Sequence, residues 1–207
     1  MRVEEVKKSE RKKGRFLVKL EDGDILRVTE EELLRFGLRA GMALGEDEME
    51  ALRASAKASE TKAKAADMIG SRALSKQELT RRLVKKGSGE ADAQAAADWL
   101  EDIGAINDAG YAAALARHYG GKGYGPARVK EELRHRGVNR ELWDGALEEM
   151  PEPEEILDQL IQKKCRGGLS DPKDKKRISG MLLRRGFSWD DIKSAMNRYT
   201  EMAEDEY

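Results

Sequence analysis

An internal repeat of about 50 residues restricts the fold of this sequence more than any other feature. Each of the glycines at 87, 137 and 186 follows two residues that carry or can carry positive charge. The same apolar positions recur around each glycine, eight and four residues before it and six, nine and ten residues after it: Leu79, Leu83, Ala93, Ala96 and Ala97; Val129, Leu133, Trp143, Ala146 and Leu147; Ile178, Leu182, Ile192, Ala195 and Met196. Spacings of three and four residues place side chains on one helical face, and glycine commonly follows a helix end. The pattern predicts three helix–glycine–helix units.

The period leaves room for one more helix in each unit. Candidates lie at 46–71, 108–119 and 153–165, and loops are expected at 120–125 and 166–172. The sequence therefore predicts a mainly α protein of three tandem three-helix repeats, over residues 46–104, 105–150 and 151–207. Since one such unit buries little apolar surface alone, we expect the repeats to stack into an elongated curved solenoid.

Residues 1–45 are different and predict a small β-rich N-terminal region. Apolar and β-branched runs at 3–6, 15–20 and 25–28 are typical of strands, and Asp22-Gly23 is a hairpin signal. Thr29 and Glu32 form a capping-box pattern for a short helix that ends near Gly37.

The composition excludes several classes of protein. No run of about 18 apolar residues is present, so no transmembrane helix is expected, and the N-terminus lacks a signal-peptide apolar core. The single cysteine, Cys165, cannot form an internal disulfide, which fits a reducing compartment. We expect a folded cytoplasmic protein. Part of the polar middle of the first long helix, 55–64, is expected to project into solvent.

Charge alternates along the repeats although the whole chain carries a net charge of only −1. The segments that precede the three glycines, 71–87, 125–136 and 173–185, carry net charges of +5, +2 and +5. The segments that follow, 88–104, 138–149 and 187–207, carry −5, −3 and −4. Alternation can simply avoid repulsion between neighbouring helices. It can also place a basic stripe along one edge of the solenoid, facing a polyanion or an acidic partner.

Catalytic and metal-binding patterns are missing from the sequence. His118 and His135 have no Cys or His at a metal-ligand spacing, and Cys165 is interpreted as a small apolar residue. The glycine-rich segment 120–125 lacks the phosphate-loop pattern and a preceding strand. Trp99, Trp143 and Trp189 are expected to anchor the core. We predict no enzyme, no metal and no cofactor.

Several segments together resemble the RecX family of regulatory proteins. The segment 75–87 fits the family pattern S-x-x-E-L-x-x-x-L-x-x-K-G, and 100–112 is similar to the segment that follows it, except that Gly110 stands where the family has a larger residue. Residues 125–138 and 184–187 resemble the second and third repeats. The resemblance is strong over 70–199. The motifs indicate the family together, whereas each motif alone is weak evidence for it.

The resemblance implies a regulator of homologous recombination and DNA repair, linked to the SOS response. Such proteins bind the groove of the filament of RecA on single-stranded DNA and inhibit filament extension, ATP hydrolysis, strand exchange and co-protease activity. We expect a monomer whose contact with single-stranded DNA is weak or indirect. The residues expected to contact the filament or its DNA are basic: Arg72, Lys76, Arg81, Arg82, Lys85, Arg128, Arg134, Arg184 and Arg185. The alternatives are a helical repeat that binds DNA or RNA without a recombinase, and a metabolic enzyme.

Overall fold

The fold is mainly α with one small sheet, as predicted. The computed structural model describes residues 1–10, 12–165 and 171–205, with side chains as far as residue 201. These residues form two compact units. The first contains 1–73 and 79–106, and the second contains 74–78 and the chain from 107 onward. Three strands and ten α-helices lie in the described part of the chain.

The first unit begins with an antiparallel sheet of order β1-β2-β3. The strands are β1 (Val3–Lys8), β2 (Arg15–Leu20) and β3 (Ile25–Thr29). Gly23, at φ +88°, lies in the turn between β2 and β3, which confirms the predicted hairpin. Helix α1 (Glu30–Arg35) follows at once and carries the predicted capping box, in which the Thr29 hydroxyl accepts from the Glu32 N–H.

Helix α2 (Glu46–Ser71) covers the inner face of this sheet. Its Met49, Leu52 and Ala56 join a buried cluster with the strand residues Val3, Val18, Leu20 and Val28. Part of the segment 55–64 is exposed, at Lys57 and Lys62, as expected, whereas Ala56 and Thr61 are buried. Two short polar side chains of the segment find partners inside the unit: Ser55 bonds to Glu32, and Thr61 bonds to Ser88.

Glu32 is the buried carboxylate of this unit and gives a testable pH dependence. Burial alone would raise its pKa, but hydrogen bonds from Ser55, the Thr29 N–H and Ser59 outweigh burial and lower the pKa below its ordinary value of 4.5. A lowered pKa stabilises the fold above the unfolded-state pKa, and that stability is lost as pH falls through the folded-state value. We expect wild type to melt above Glu32→Gln at about pH 6, and the gap to shrink as pH falls below about 4. Thermal melts across a pH series measure the gap, and a pH-independent gap would contradict the assignment.

The three predicted repeats each contain three α-helices among the described residues. The first has α2, α3 (Lys76–Lys85) and α4 (Glu90–Asp102), and the second has α5 (Asp108–Gly121), α6 (Pro126–His135) and α7 (Trp143–Leu147). The third has α8 (Pro153–Lys164), α9 (Pro172–Arg184) and α10 (Trp189–Asp205). A 3₁₀ turn, Arg140–Leu142, precedes the short α7.

The first of the two predicted loops is shorter than expected. The loop expected at 120–125 begins later, because α5 continues through Gly121. The absence of a side chain at Gly120 lets Pro151 approach the helix, where a Cβ would lie 2.7 Å from the proline Cδ. Of the loop expected at 166–172, residues 166–170 lie outside the described residues.

The same helix-ending motif occurs at all three repeat glycines. Gly87, Gly137 and Gly186 have φ of +88°, +71° and +89°. Each donates its N–H three residues back, and the residue after it donates five residues back, as in a Schellman motif. Twelve of the fifteen repeat positions are buried, and Trp143, Leu147 and Met196 are half-buried. The predicted repeat is confirmed.

The tryptophans do not all anchor the core as expected. Trp143 is half-buried, and its indole N–H donates to the Val138 carbonyl at 3.0 Å. Trp189 is 56% exposed, so the expectation for this residue is wrong. It begins α10 one turn before the first buried position, Ile192, and Phe187 already occupies the core at that end of the helix.

Candidate functional site

Within the second unit, the end of α9 abuts the start of α6. The Gly125 N–H donates to the Arg185 carbonyl at 2.8 Å, and the Ala127 N–H donates to the Gly186 carbonyl at 3.1 Å. The third repeat thus satisfies two backbone donors at the start of α6, which would otherwise lack partners inside the helix. The approach requires glycine on both sides. A Cβ at Gly186 would lie 2.4 Å from the Arg128 nitrogen, and one at Gly125 would lie 2.5 Å from the Gly186 oxygen.

An equivalent junction, also within the second unit, joins the end of α6 to Ser75 and Lys76. The Ser75 hydroxyl donates to the Arg136 carbonyl, and the Lys76 N–H donates to the Asp108 carboxylate at 2.9 Å. Ser75 and Gly125 both lie twelve residues before a repeat glycine, and Arg136 and Arg185 both lie one residue before one. Within the second unit, the same two repeat positions therefore meet at both junctions.

The structure exposes most of the predicted basic site residues. Six of them are exposed: Arg72, Arg81, Arg82, Lys85, Arg134 and Arg184. The other three are half-buried: Lys76, Arg128 and Arg185. The expectation that Arg81 and Lys85 point away from the apolar face is confirmed, because Leu79 and Leu83 are fully buried.

Two of the half-buried residues are occupied by contacts inside the second unit. The Arg185 guanidinium donates to the Lys122 and Gly123 carbonyls at 3.2 and 2.9 Å and lies over the Tyr124 ring. Arg128 forms an ion pair with Glu131 on its own helix. Arg185 therefore ties α9 to the loop before α6, and less of its charge is available to a partner.

Sequence reasoning missed a related contact in the second repeat. Arg136, the equivalent of Arg185, donates to Glu132 at 2.7 Å and to the Tyr111 hydroxyl at 3.2 Å. Burial would raise the pKa of Glu132, but the hydrogen bond from Arg136 contributes to lowering it, which keeps the carboxylate charged. The only sequence signal is the basic residue directly before each repeat glycine, which the structure uses to hold helices together in the second and third repeats.

The described residues contain no group of three or more His, Cys, Asp or Glu side chains that could hold a metal ion. His118 and His135 are both exposed, and Cys165 is buried, where burial raises the pKa of its thiol. The glycine-rich segment 120–125 begins in the last turn of helix α5 and is not preceded by a strand. None of the helices in the described part of the chain is long and apolar enough to cross a membrane.

This architecture defines a tandem three-helix-repeat protein with exposed cations on its second helices. Family models described as the second and third three-helix domains of RecX match residues 107–147 and 152–196. The "Regulatory protein RecX" of Xanthomonas axonopodis pv. citri (strain 306) is 33% identical over 134 residues, which cover 64% of this chain and 83% of the relative. The protein of that name from Pseudomonas putida (strain W619) is 33% identical over 130 residues, 62% of this chain and 83% of the relative. The chain belongs to the RecX family of regulatory proteins.

Solved structures support the fold. A crystal structure of regulatory protein RecX superposes with a TM-score of 0.74 at 22% identity, covering 93% of this chain and 98% of the other. A crystal structure of RecX from Lactobacillus salivarius superposes with a TM-score of 0.64 at 21% identity, covering 70% of this chain and 97% of the other. At these identities the structures define the architecture alone.

Proposed function

We propose that this protein is a non-enzymatic regulator of the RecA recombinase and binds the groove of the filament that RecA forms on single-stranded DNA. Bound there as a cytoplasmic monomer without a cofactor, it blocks filament extension and so reduces ATP hydrolysis, strand exchange and co-protease activity. Membership of the RecX family is the observation that carries this proposal. Its place is in DNA repair, recombination and the SOS response.

The exposed cations of the second helices supply a chemical basis for binding. Lys85, Arg134 and Arg184 are exposed, and among the described residues their side chains have no ion-pair or hydrogen-bond partner. Unpaired surface cations attract DNA phosphates and acidic protein surfaces at long range. Arg72, Arg81 and Arg82 are exposed as well and add to the positive potential, whereas Arg185 serves the junction described above.

The test measures ATP hydrolysis by RecA on single-stranded DNA as this protein is added. We expect inhibition at substoichiometric ratios, because a protein that stops extension acts on many subunits of a growing filament. The combined variant Lys85→Glu, Arg134→Glu and Arg184→Glu should need a concentration about tenfold higher or more for half-inhibition, since it replaces attraction with repulsion at three surface positions.

A matched control changes the net charge equally outside the second helices. Arg39→Glu, Lys163→Glu and Lys193→Glu are exposed positions whose side chains have no partner among the described residues, and this variant should inhibit like wild type. Circular dichroism checks that both variants keep their helix content. The proposal fails if wild type has no effect at equimolar ratio. The assignment of the surface fails if the two triple variants behave alike.

A further inference from the structure

The densest positive charge in the chain lies outside the second helices, in the β1–β2 hairpin. Six of the nine residues from 7 to 15 are lysine or arginine, and one, Glu10, is acidic. The proposed regulator surface does not use this segment. Among the described residues of this segment Lys7, Lys8, Lys12 and Lys13 are exposed, and like charges close together on a hairpin repel one another.

The hairpin forms part of a cleft of about 540 Å³ in the first unit. Five cations line it: Lys7, Lys8, Lys12, Arg15 and Arg27. Two carboxylates, Glu10 and Glu60, also line it, so the cations exceed the anions by three. The sheet register places Lys7 and Arg27 on either side of Leu17, which forms an apolar strip between the two charges.

The cations differ in how firmly they are held. The Arg15 guanidinium is fixed by the Ser59 hydroxyl at 2.7 Å and the Ser59 carbonyl at 2.6 Å. Lys7 and Lys12 pair with exposed carboxylates outside the cleft lining, Glu5 and Asp67. Lys8 and Arg27 are exposed and have no side-chain partner among the described residues. The cleft thus combines one oriented guanidinium with two cations whose charge is not neutralised.

We propose that this cleft binds the phosphodiester backbone of single-stranded nucleic acid as a site separate from the second helices. The excess of cations favours a polyanion, and lysine and arginine are the usual ligands of phosphate. None of the described residues that line the cleft is an aromatic on which a base could stack, so recognition is by the backbone and is independent of sequence. A flexible single strand can bend into a cleft of about 540 Å³, whereas a duplex, with a persistence length of about 150 base pairs, stays straight over this distance.

The test measures the affinity of the full chain for a labelled oligothymidine by fluorescence anisotropy, without RecA, across a salt series. Each phosphate contact to a single strand contributes about 0.7 to the slope of log K against log salt. The variant Lys8→Gln with Arg27→Gln should therefore lower the slope by about 1.4 and raise the Kd at least fivefold at low salt. The control variant Arg39→Gln with Lys193→Gln, which loses the same charge at exposed positions elsewhere, should bind like wild type.

Further arms separate this inference from its competitors. The second-helix variant Lys85→Glu, Arg134→Glu and Arg184→Glu should keep the wild-type salt slope for bare oligothymidine to within about 0.7, because the phosphate contacts in the cleft are intact. Equal affinities for oligothymidine and oligodeoxycytidine support readout of the backbone, and a tenfold preference for either overturns it. The inference also fails if the cleft variant binds like wild type, or if polyglutamate of equal charge competes as strongly as the oligonucleotide. Because RecA is absent throughout, these outcomes are independent of the proposed function.

Discussion

Gly186→Ala is expected to destabilise the second unit by about 3–4 kcal/mol, at least twice the cost of Gly87→Ala. Both glycines end a second helix at almost the same positive φ, +89° and +88°. A left-handed conformation costs an alanine about 1–2 kcal/mol at either position. At Gly87 nothing lies within 4 Å of an added Cβ, so that cost is the whole effect.

At Gly186 the added Cβ would lie 2.4 Å from the Arg128 nitrogen and 2.7 Å from the Arg128 Cβ. These Arg128 atoms are part of the first turn of α6 and cannot move without the helix. The end of α9 must therefore separate from the start of α6. Separation breaks the bonds from Gly125 and Ala127 to the Arg185 and Gly186 carbonyls, at about 1 kcal/mol each.

Two measurements test this expectation. Urea unfolding followed by circular dichroism gives the loss of stability in each variant. Hydrogen exchange at the Gly125 and Ala127 amides reports the junction itself, and protection there should fall in Gly186→Ala and stay unchanged in Gly87→Ala. If the two variants lose equal stability and keep equal protection, the close approach of α9 to α6 is not what requires glycine at 186.

The repeat glycines and the apolar faces around them could be predicted from sequence because each is a local property. A Schellman motif needs one residue at positive φ, and glycine is the residue that takes this conformation without strain. A buried helical face needs only side chains three and four residues apart, such as Leu79 and Leu83, which are fully buried. These rules hold whatever the rest of the chain does.

The junctions between repeats could not be predicted because they use different chemistry at the same position. Ser75 donates a side-chain hydroxyl where Gly125 donates a backbone N–H, so the two residues share no property that a pattern search would detect. The role of Arg185 was missed for a similar reason. Its acceptors are the Lys122 and Gly123 carbonyls, and a backbone carbonyl leaves no mark in the sequence.

The basic hairpin was overlooked for a different reason. Adding up charge over predicted helices directs attention to the repeats, and the segment 7–15 lies before them, between two strands. The fold also brings residues that are distant in sequence to the basic segment, because Arg27 from β3 and Glu60 from α2 line the same cleft. The run itself was visible in the sequence, whereas the cleft was not.

Leu133→Ala is expected to cost about 3–5 kcal/mol of unfolding free energy, the upper part of the range for a buried leucine. Leu133 is fully buried in α6 in a cluster whose other buried members are Ala112, Ala116, Val129, Val138 and Ala146. These side chains are short or β-branched and cannot extend into the space that the leucine leaves, so most of the cavity persists.

Arg134→Ala, one residue along the same helix, is the matched control. Because Arg134 is exposed, this variant should unfold within about 0.5 kcal/mol of wild type in urea. A Leu133→Ala loss below about 1.5 kcal/mol would mean that the cluster collapses around the smaller residue, and the second repeat would then not depend on its repeated apolar position.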